Sequence, residues 1–505
     1  MDTRNRSSRL TEPCDLSATE GRALIGTKRL SPVELTQSCI ARIEEVDPAV
    51  NAIVARDFPG ALAAARVAET QVMRGEELGA LHGLPLGVKD LIDAAGLPTT
   101  SGSPIFKDNI ATKDEGVVAS LRAAGAIVIG KTNTPEWGAG ANTRNAVYGA
   151  TGNPFDPTKS AAGSSGGSGV ALACGMVPLA TGSDTGGSCR NPAAFCGVVG
   201  LRPTLGLIPG ERRTPSWIQF SALGPMARTV PDLCLMFSAM MFEDARDPLS
   251  AVVQGTLRDP GVFARPRPAD LSCLRVAATT DFGFAPTERV IAETFRDKLK
   301  CLDQVFARID EAHPDCSGAD EAFATIRAMV FLGRHLELLR QYPDQIGPNV
   351  KANIEEGLGY SAQDVARALT LQTQLHRRWH DFFGSYDIVL SPAVTISPRP
   401  WRELYPAEID GKPTKSYFHW LALAYAVTLA GHPALSLPVG LDRNGMPFGL
   451  QIIGPRGGDL RVLAVATALE SLLANDAATA RPKPDIAKLK RAAPIAGMAG
   501  FRAFD

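Results

Sequence analysis

The sequence has no CxxC pair, no GxxxxGK[ST] loop, no SxxK motif and no apolar run long enough to span a bilayer. Each absence removes a class. Its 9 cysteines, Cys14, Cys39, Cys174, Cys189, Cys196, Cys234, Cys273, Cys301 and Cys316, are scattered and odd in number. A zinc ribbon or a disulfide framework would show paired, regular spacing, so these read as small buried residues in a reducing compartment. The formal net charge is −1. Neutralising phosphates needs a basic surface, so nucleic acid is not an expected partner. The polar start MDTRNRSSRLTEPCDLS lacks a signal-peptide apolar core, and the expectation is a cytoplasmic protein with no membrane association.

What is present describes a large globular chain. Its 505 residues are 45% hydrophobic and 21% charged, which suits one very large α/β domain or two domains. Residues 1–75 read as a helical region packing on the core. Ser31, Pro32 and Glu34 form a helix start, and an Ala-rich helix runs from about Asp57 to Arg74. Residues 76–244 alternate short apolar runs with helical stretches: strands near Leu86–Lys89, Ala126–Gly130 and Met176–Thr181, and helices at Asp114–Ala124 and Gly166–Cys174. Such alternation predicts a largely parallel sheet with helices on both faces. Residues 245–385 read as a helical insertion or cap, with helices at Thr287–Leu302, Ala319–Tyr342 and Ala362–Phe383. Residues 386–505 return to the core with strands at Ile388–Leu390, Ala434–Pro438 and Phe448–Ile453, a helix at Leu460–Leu473, and a tail after Asn475 read as poorly ordered.

The chemistry concentrates between Ser160 and Arg202, in the clusters Gly163-Ser164-Ser165-Gly166-Gly167 and Gly182-Ser183-Asp184-Thr185-Gly186-Gly187-Ser188. Glycine-rich turns expose successive N–H groups that hold an anion, either a phosphate or the oxyanion of acyl transfer. No lysine follows either cluster, which argues against the phosphate. Acyl transfer needs a nucleophile, a base and oxyanion donors. Gly163–Gly167 also fits GxSxG with Ser165 at its centre, and His432 is then a candidate base; but no strand precedes the turn and no HGGG loop occurs. His376 and His380 stand in HRRWH, which lacks the glutamate of a zinc helix. Lys89 ends an apolar strand and is either a paired structural charge or a desolvated base. Spacing alone leaves both open.

Taken together, Leu84-Pro85-Leu86-Gly87-Val88-Lys89-Asp90, Gly130-Lys131-Thr132-Asn133-Thr134-Pro135-Glu136, the two Gly/Ser clusters, Gly224-Pro225-Met226-Ala227-Arg228 and Gly431-His432-Pro433-Ala434 resemble the amidase signature family. The resemblance is densest over residues 80–240. It implies a single large α/β/α domain with a mixed, largely parallel central sheet covered by helices, plus the helical insertion. It makes Ser188 the nucleophile, Ser164 the bridging serine after a cis peptide bond, and Lys89 the base. The N–H groups of Thr185, Gly186, Gly187 and Ser188 become the oxyanion hole. Ser165 supports the lysine, Asp184 and Arg190 brace the nucleophile loop, and Gly138 lies near the scissile group. Ala162-Gly163 stands where the family often has two glycines, and Cys189 is expected to face the core. Trp137, Trp217, Ile218 and Phe220 are candidates for an apolar pocket. No metal and no cofactor is implied. The expected partner is a small-molecule substrate, an aryl or short-chain amide or a carbamate, and a homodimer is compatible with this reading. The alternative is the A-type subunit of a tRNA-dependent amidotransferase, which needs a partner protein; Thr134-Pro135-Glu136-Trp137-Gly138 favours the general amidases.

Overall fold

A computed structural model describes residues 12–250 and 259–502. The polar stretch before residue 12 lies outside these described residues. Within them, eleven strands form one sheet. From one edge the order is Ile53–Arg56, Ile127–Thr132, Pro85–Lys89, Leu179–Asp184, Ala222–Ala227, Val199–Arg202, Ala434–Leu441, Pro447–Ile453, Ile388–Pro392, Arg275–Ala278 and Arg308–Glu311. The sheet is mixed. Pro85–Lys89 is parallel to both of its neighbours, and so is Arg275–Ala278. The strands between these blocks pair antiparallel. Parallel neighbours need a crossover, supplied here by Gly116–Ala123 and Gly166–Ala173, whereas Ala434–Leu441 and Pro447–Ile453 are joined by a short turn.

Most of the helices follow from local signals. Ser31 and Glu34 form the capping box at the start of Pro32–Val50, with the Glu34 carboxylate accepting the Ser31 N–H at 2.9 Å. Phe58–Arg74 ends on Gly75 in the left-handed conformation. Gly166–Ala173 is buried at every position. A Cβ on Gly167 would lie 2.2 Å from the Asn133 nitrogen, so glycine is required where the first turn of this helix meets Asn133.

Three elements differ from the sequence reading. The N-terminal region is not wholly helical: Ile53–Arg56 is an edge strand, too short to show a period. It is set by buried Asp47, whose carboxylate accepts the N–H groups of Ala52 (2.6 Å) and Ile53 (3.1 Å). The 245–385 segment contributes two strands to the far edge of the sheet as well as the helices Arg289–Lys300, Ala319–Gln341, Pro348–Gly359 and Ala362–Phe382. The tail after Asn475 is packed rather than loose. Asp485 caps the helix Ile486–Arg491, Lys490 pairs with Glu45 at 2.6 Å, and Ile495 is buried with Ala150 and Trp401. Its anchors are single residues contacting distant parts of the chain, which leave no periodic trace. Among the described residues no helix is long and apolar enough to cross a membrane.

Because Ile495 closes the small cluster around Trp401, Ile495→Ala should leave a void there and destabilise the fold by about 2–4 kcal/mol, read as a lower urea midpoint.

Candidate active site

Two neighbouring strands bring the reactive groups together. Pro85–Lys89 and Leu179–Asp184 run parallel, with Leu86 opposite Leu179 and Gly87 opposite Ala180, so their C-terminal ends meet. The crevice beyond such ends is where ligands of α/β sheets bind. Lys89 closes the first strand, and its N–H donates to Thr181 Oγ1 on the second at 2.9 Å.

The Lys89 side chain is fully buried, and its Nζ lies 2.7 Å from Ser164 Oγ, 2.9 Å from Ser165 Oγ and 2.9 Å from Ser183 Oγ. An ammonium offers three donors, which these hydroxyls match one for one. Burial pushes the amine down to about 7, against the pull of the Asp184 carboxylate. Once the proton has left, Nζ has two N–H groups and a lone pair. One of the three hydroxyls must then turn and donate to it. Ser164 and Ser183 open onto a cavity, whereas Ser165 is closed off and also accepts the Ser183 N–H at 3.4 Å. The peptide bond between Gly163 and Ser164 is cis.

Ser188 borders the same cavity. Its carbonyl accepts the Ser165 N–H at 3.3 Å, and its hydroxyl has no hydrogen-bond partner among the described residues. The loop that carries it is organised by Asp184. Arg190 donates to both carboxylate oxygens, Nη2 to Oδ1 at 2.7 Å and Nε to Oδ2 at 3.0 Å. The N–H groups of Gly187 (3.1 Å) and Cys189 (3.2 Å) donate to the same carboxylate. Arg202 donates to the Asp184 carbonyl at 2.5 Å, and its guanidinium lies 3.6 Å from Oδ1. Burial alone would raise this carboxyl; Arg190 and Arg202 outweigh it and hold the group at about 2.

Gly187 is placed differently from its neighbours in the motif. Its N–H is taken by Asp184, and the residue does not border the cavity. It has φ +95°, and a Cβ there would come within 2.4 Å of Asn191 Oδ1 and 2.5 Å of Ala424 Cβ. The turn itself requires glycine here. Thr185, Gly186 and Ser188 remain at the cavity wall. Cys189 is buried, as expected.

The cavity measures about 670 Å³. Gly138 forms part of its wall, so near Ser164 that an added Cβ would lie 3.2 Å from Ser164 Oγ. Trp137, Ile218 and Phe220 line it, but Trp217 is 79% exposed and does not. Trp137 is stacked on His335, with ring centroids 4.4 Å apart. Burial holds the His335 imidazole down to about 3, so it is neutral. The opposite wall is the helix Ala319–Gln341, which presents Phe323, Arg327, Val330, Phe331, Arg334 and Leu338. Their spacing of three and four residues places them along one helix face.

The competing assignments find no support in this geometry. His432 is buried against Trp379 and Phe383, away from the cavity. His376 Nδ1 faces the Ala430 carbonyl at 2.8 Å. Sequence reasoning missed Ser183, Thr181 and Arg202. Ser183 lies inside the Gly182–Ser188 run, and the parallel strand pairing is what aims it at Lys89. Arg202 is distant in sequence and carries no local signal.

Known proteins resemble this chain over most of its length. The Amidase family model matches residues 34–463. An acylamidase of Rhodococcus erythropolis is 36% identical over 461 residues, covering 90% of this chain and 95% of the relative. The A-type subunit of the glutamyl-tRNA(Gln) amidotransferase from Alkaliphilus metalliredigens is 33% identical over 473 residues, covering 88% and 94%. The crystal structure of a bacterial aryl acylamidase of the amidase signature family superposes with a TM-score of 0.83 at 27% identity, covering 90% of this chain and 96% of that one.

Removing the charge at Asp184 would leave Arg190 and Arg202 buried without their shared anion. Asp184→Asn should therefore destabilise the fold by about 3–5 kcal/mol, measured by chemical denaturation.

Proposed function

The chain belongs to the amidase signature family and is an amidase, a hydrolase of carbon–nitrogen bonds, and from that premise we infer that Ser188 is its acylated nucleophile, with Ser164 and Lys89 as the proton relay. The observation that supports this most is the 2.7 Å contact between a buried, weakly basic Lys89 amine and the Ser164 hydroxyl, at the edge of the cavity that Ser188 also borders.

A serine hydroxyl is a poor nucleophile without a base. Neutral Lys89 accepts the Ser164 proton while Ser164 takes the proton of Ser188, and Ser188 Oγ attacks the substrate carbonyl. The N–H groups of Thr185, Gly186 and Ser188 stabilise the oxyanion, each donor of this kind being worth about 3–4 kcal/mol. The proton returns through Ser164 to the leaving amine, the C–N bond breaks, and an acyl ester remains on Ser188. Water, deprotonated along the same relay, then releases the acid. Ser165 and Ser183 hold the amine in place, and Asp184 with Arg190 holds the loop. The substrate is a small-molecule amide, with an aryl amide favoured by the aromatic wall of Trp137, Phe220, Phe323 and Phe331; a carbamate presents the same carbonyl.

The amidotransferase relative supports a second reading, in which the chain works beside a partner protein. Turnover of an anilide by the purified chain alone would favour the stand-alone enzyme.

Two outcomes are expected. Ser188→Ala should lower kcat for an anilide by about 10⁴-fold or more and abolish labelling by a fluorophosphonate; retention of either would refute the assignment. For wild type, kcat/KM should rise with pH through a midpoint near 7, because Lys89 accepts a proton only after losing its own. Lys89→Arg, whose guanidinium stays protonated, should remove that limb together with the activity.

A further inference from the structure

The cavity holds four arginines, Arg212, Arg213, Arg327 and Arg334, and three of them are committed. Arg213 pairs with Asp247 at 2.5 Å. Arg327 pairs with Glu356 at 2.5 Å and lies 3.8 Å above the Phe418 ring. Arg212 reaches Asp93 at 2.7 Å and Glu115 at 3.9 Å, and these are the two acids that line the cavity. Arg334 has no hydrogen-bond or ion-pair partner among the described residues. It stands on the cavity face of Ala319–Gln341, one turn from Phe331 and Leu338, beside the neutral His335 that stacks on Trp137.

The Glu115 carboxylate acts on Arg334 from a distance without touching it, so its guanidinium donors stay open to an anion at the rim of the cavity, among aromatic side chains. Arg334 is exposed to solvent at the cavity mouth and projects from the same helix face as the apolar wall. Its planar donor fork matches a carboxylate in two-point contact. The apolar span formed by Trp137, Phe220, Phe323 and Phe331 suits a ring or short chain between that carboxylate and the scissile carbonyl. We propose that Arg334 selects amides that carry a carboxylate remote from the bond being cut, such as acylated aminobenzoates or the half-anilides of dicarboxylic acids. This rests on the amidase reading above and adds the charge of the substrate to it.

The test compares 4-acetamidobenzoate with acetanilide, which differ only in the carboxylate, and adds succinanilic acid, which moves the carboxylate to the acyl side. Wild type should turn over at least one carboxylated substrate with kcat/KM about 10-fold or more above that of acetanilide, mostly through a lower KM. Arg334→Gln should lower kcat/KM for that carboxylated substrate at least about 5-fold more than for acetanilide, and Arg334→Lys should restore part of the difference. Whichever carboxylated substrate shows the effect tells which side of the bond faces Arg334. Equal kcat/KM for charged and neutral substrates, or a loss in Arg334→Gln that is the same for both, would overturn the proposal. Calorimetric binding of the same compounds to Ser188→Ala separates it from the catalytic reading. A carboxylate preference in binding, lost in the double variant with Arg334→Gln, would uphold the anion site even if no amide were hydrolysed. Indifference to the carboxylate in that experiment would overturn it even if acetanilide were hydrolysed well.

Discussion

The desolvation of one amine governs this site. Lys89 is shut inside the sheet at the end of a strand buried at all its positions, and among the described residues no carboxylate touches its Nζ. Only hydroxyls do. A carboxylate in contact would stabilise the ammonium and remove the basicity that burial creates. The Asp184 charge acts on Lys89 from a distance, but its hydrogen bonds are spent on Arg190 and on the N–H groups of Gly187 and Cys189. Keeping anion and amine near each other yet not in contact is what allows a weakly basic lysine and a rigid loop in the same few ångströms.

Sheet topology makes that separation reproducible. Lys89 and the Ser183–Asp184 pair lie at the ends of adjacent parallel strands, so their relative height is fixed by the ladder rather than by a flexible loop. Ser164 and Ser165 enter from the start of the buried helix Gly166–Ala173, whose small residues let it lie against Asn133. Three segments far apart in sequence thus converge through backbone contacts, and the side chains have little freedom to miss.

Much of this was legible in the chain, and what was not has identifiable causes. The capped helices, the central strands and the Gly/Ser clusters carry local signatures, as at Ser31–Glu34 and Gly182–Ser188. Residues that act through strand pairing do not: Ser183 resembles any loop serine until the ladder turns it toward Lys89, and Arg202 resembles any strand-end arginine until it reaches the Asp184 carbonyl. Gly187 shows the converse: a motif position whose local partner is hidden in the sequence. The motif suggested an anion-binding N–H, but the αL turn directs that N–H to Asp184. The edge strands Ile53–Arg56 and Arg308–Glu311 are four residues each, too short for periodicity to be read. The packed tail is held by isolated anchors such as Ile495, and these have no sequence pattern at all.

The helix Ala319–Gln341 gives the molecule a division of labour. The proposed bond-breaking groups come from residues 89–188, around the third and fourth strands of the sheet, whereas one face of this helix forms another wall of the cavity. Its contributing positions are spaced along a stripe: Phe323 and Arg327 are tied into the core and to Glu356, whereas Phe331, Arg334 and Leu338 are only partly buried or exposed and can change size or charge more freely. What enters the cavity can therefore be revised by substitutions at those outer positions, which belong to a different element from the strands and loops carrying Lys89, Ser164 and Ser188. A protein built this way can acquire a new diet without relearning its trade.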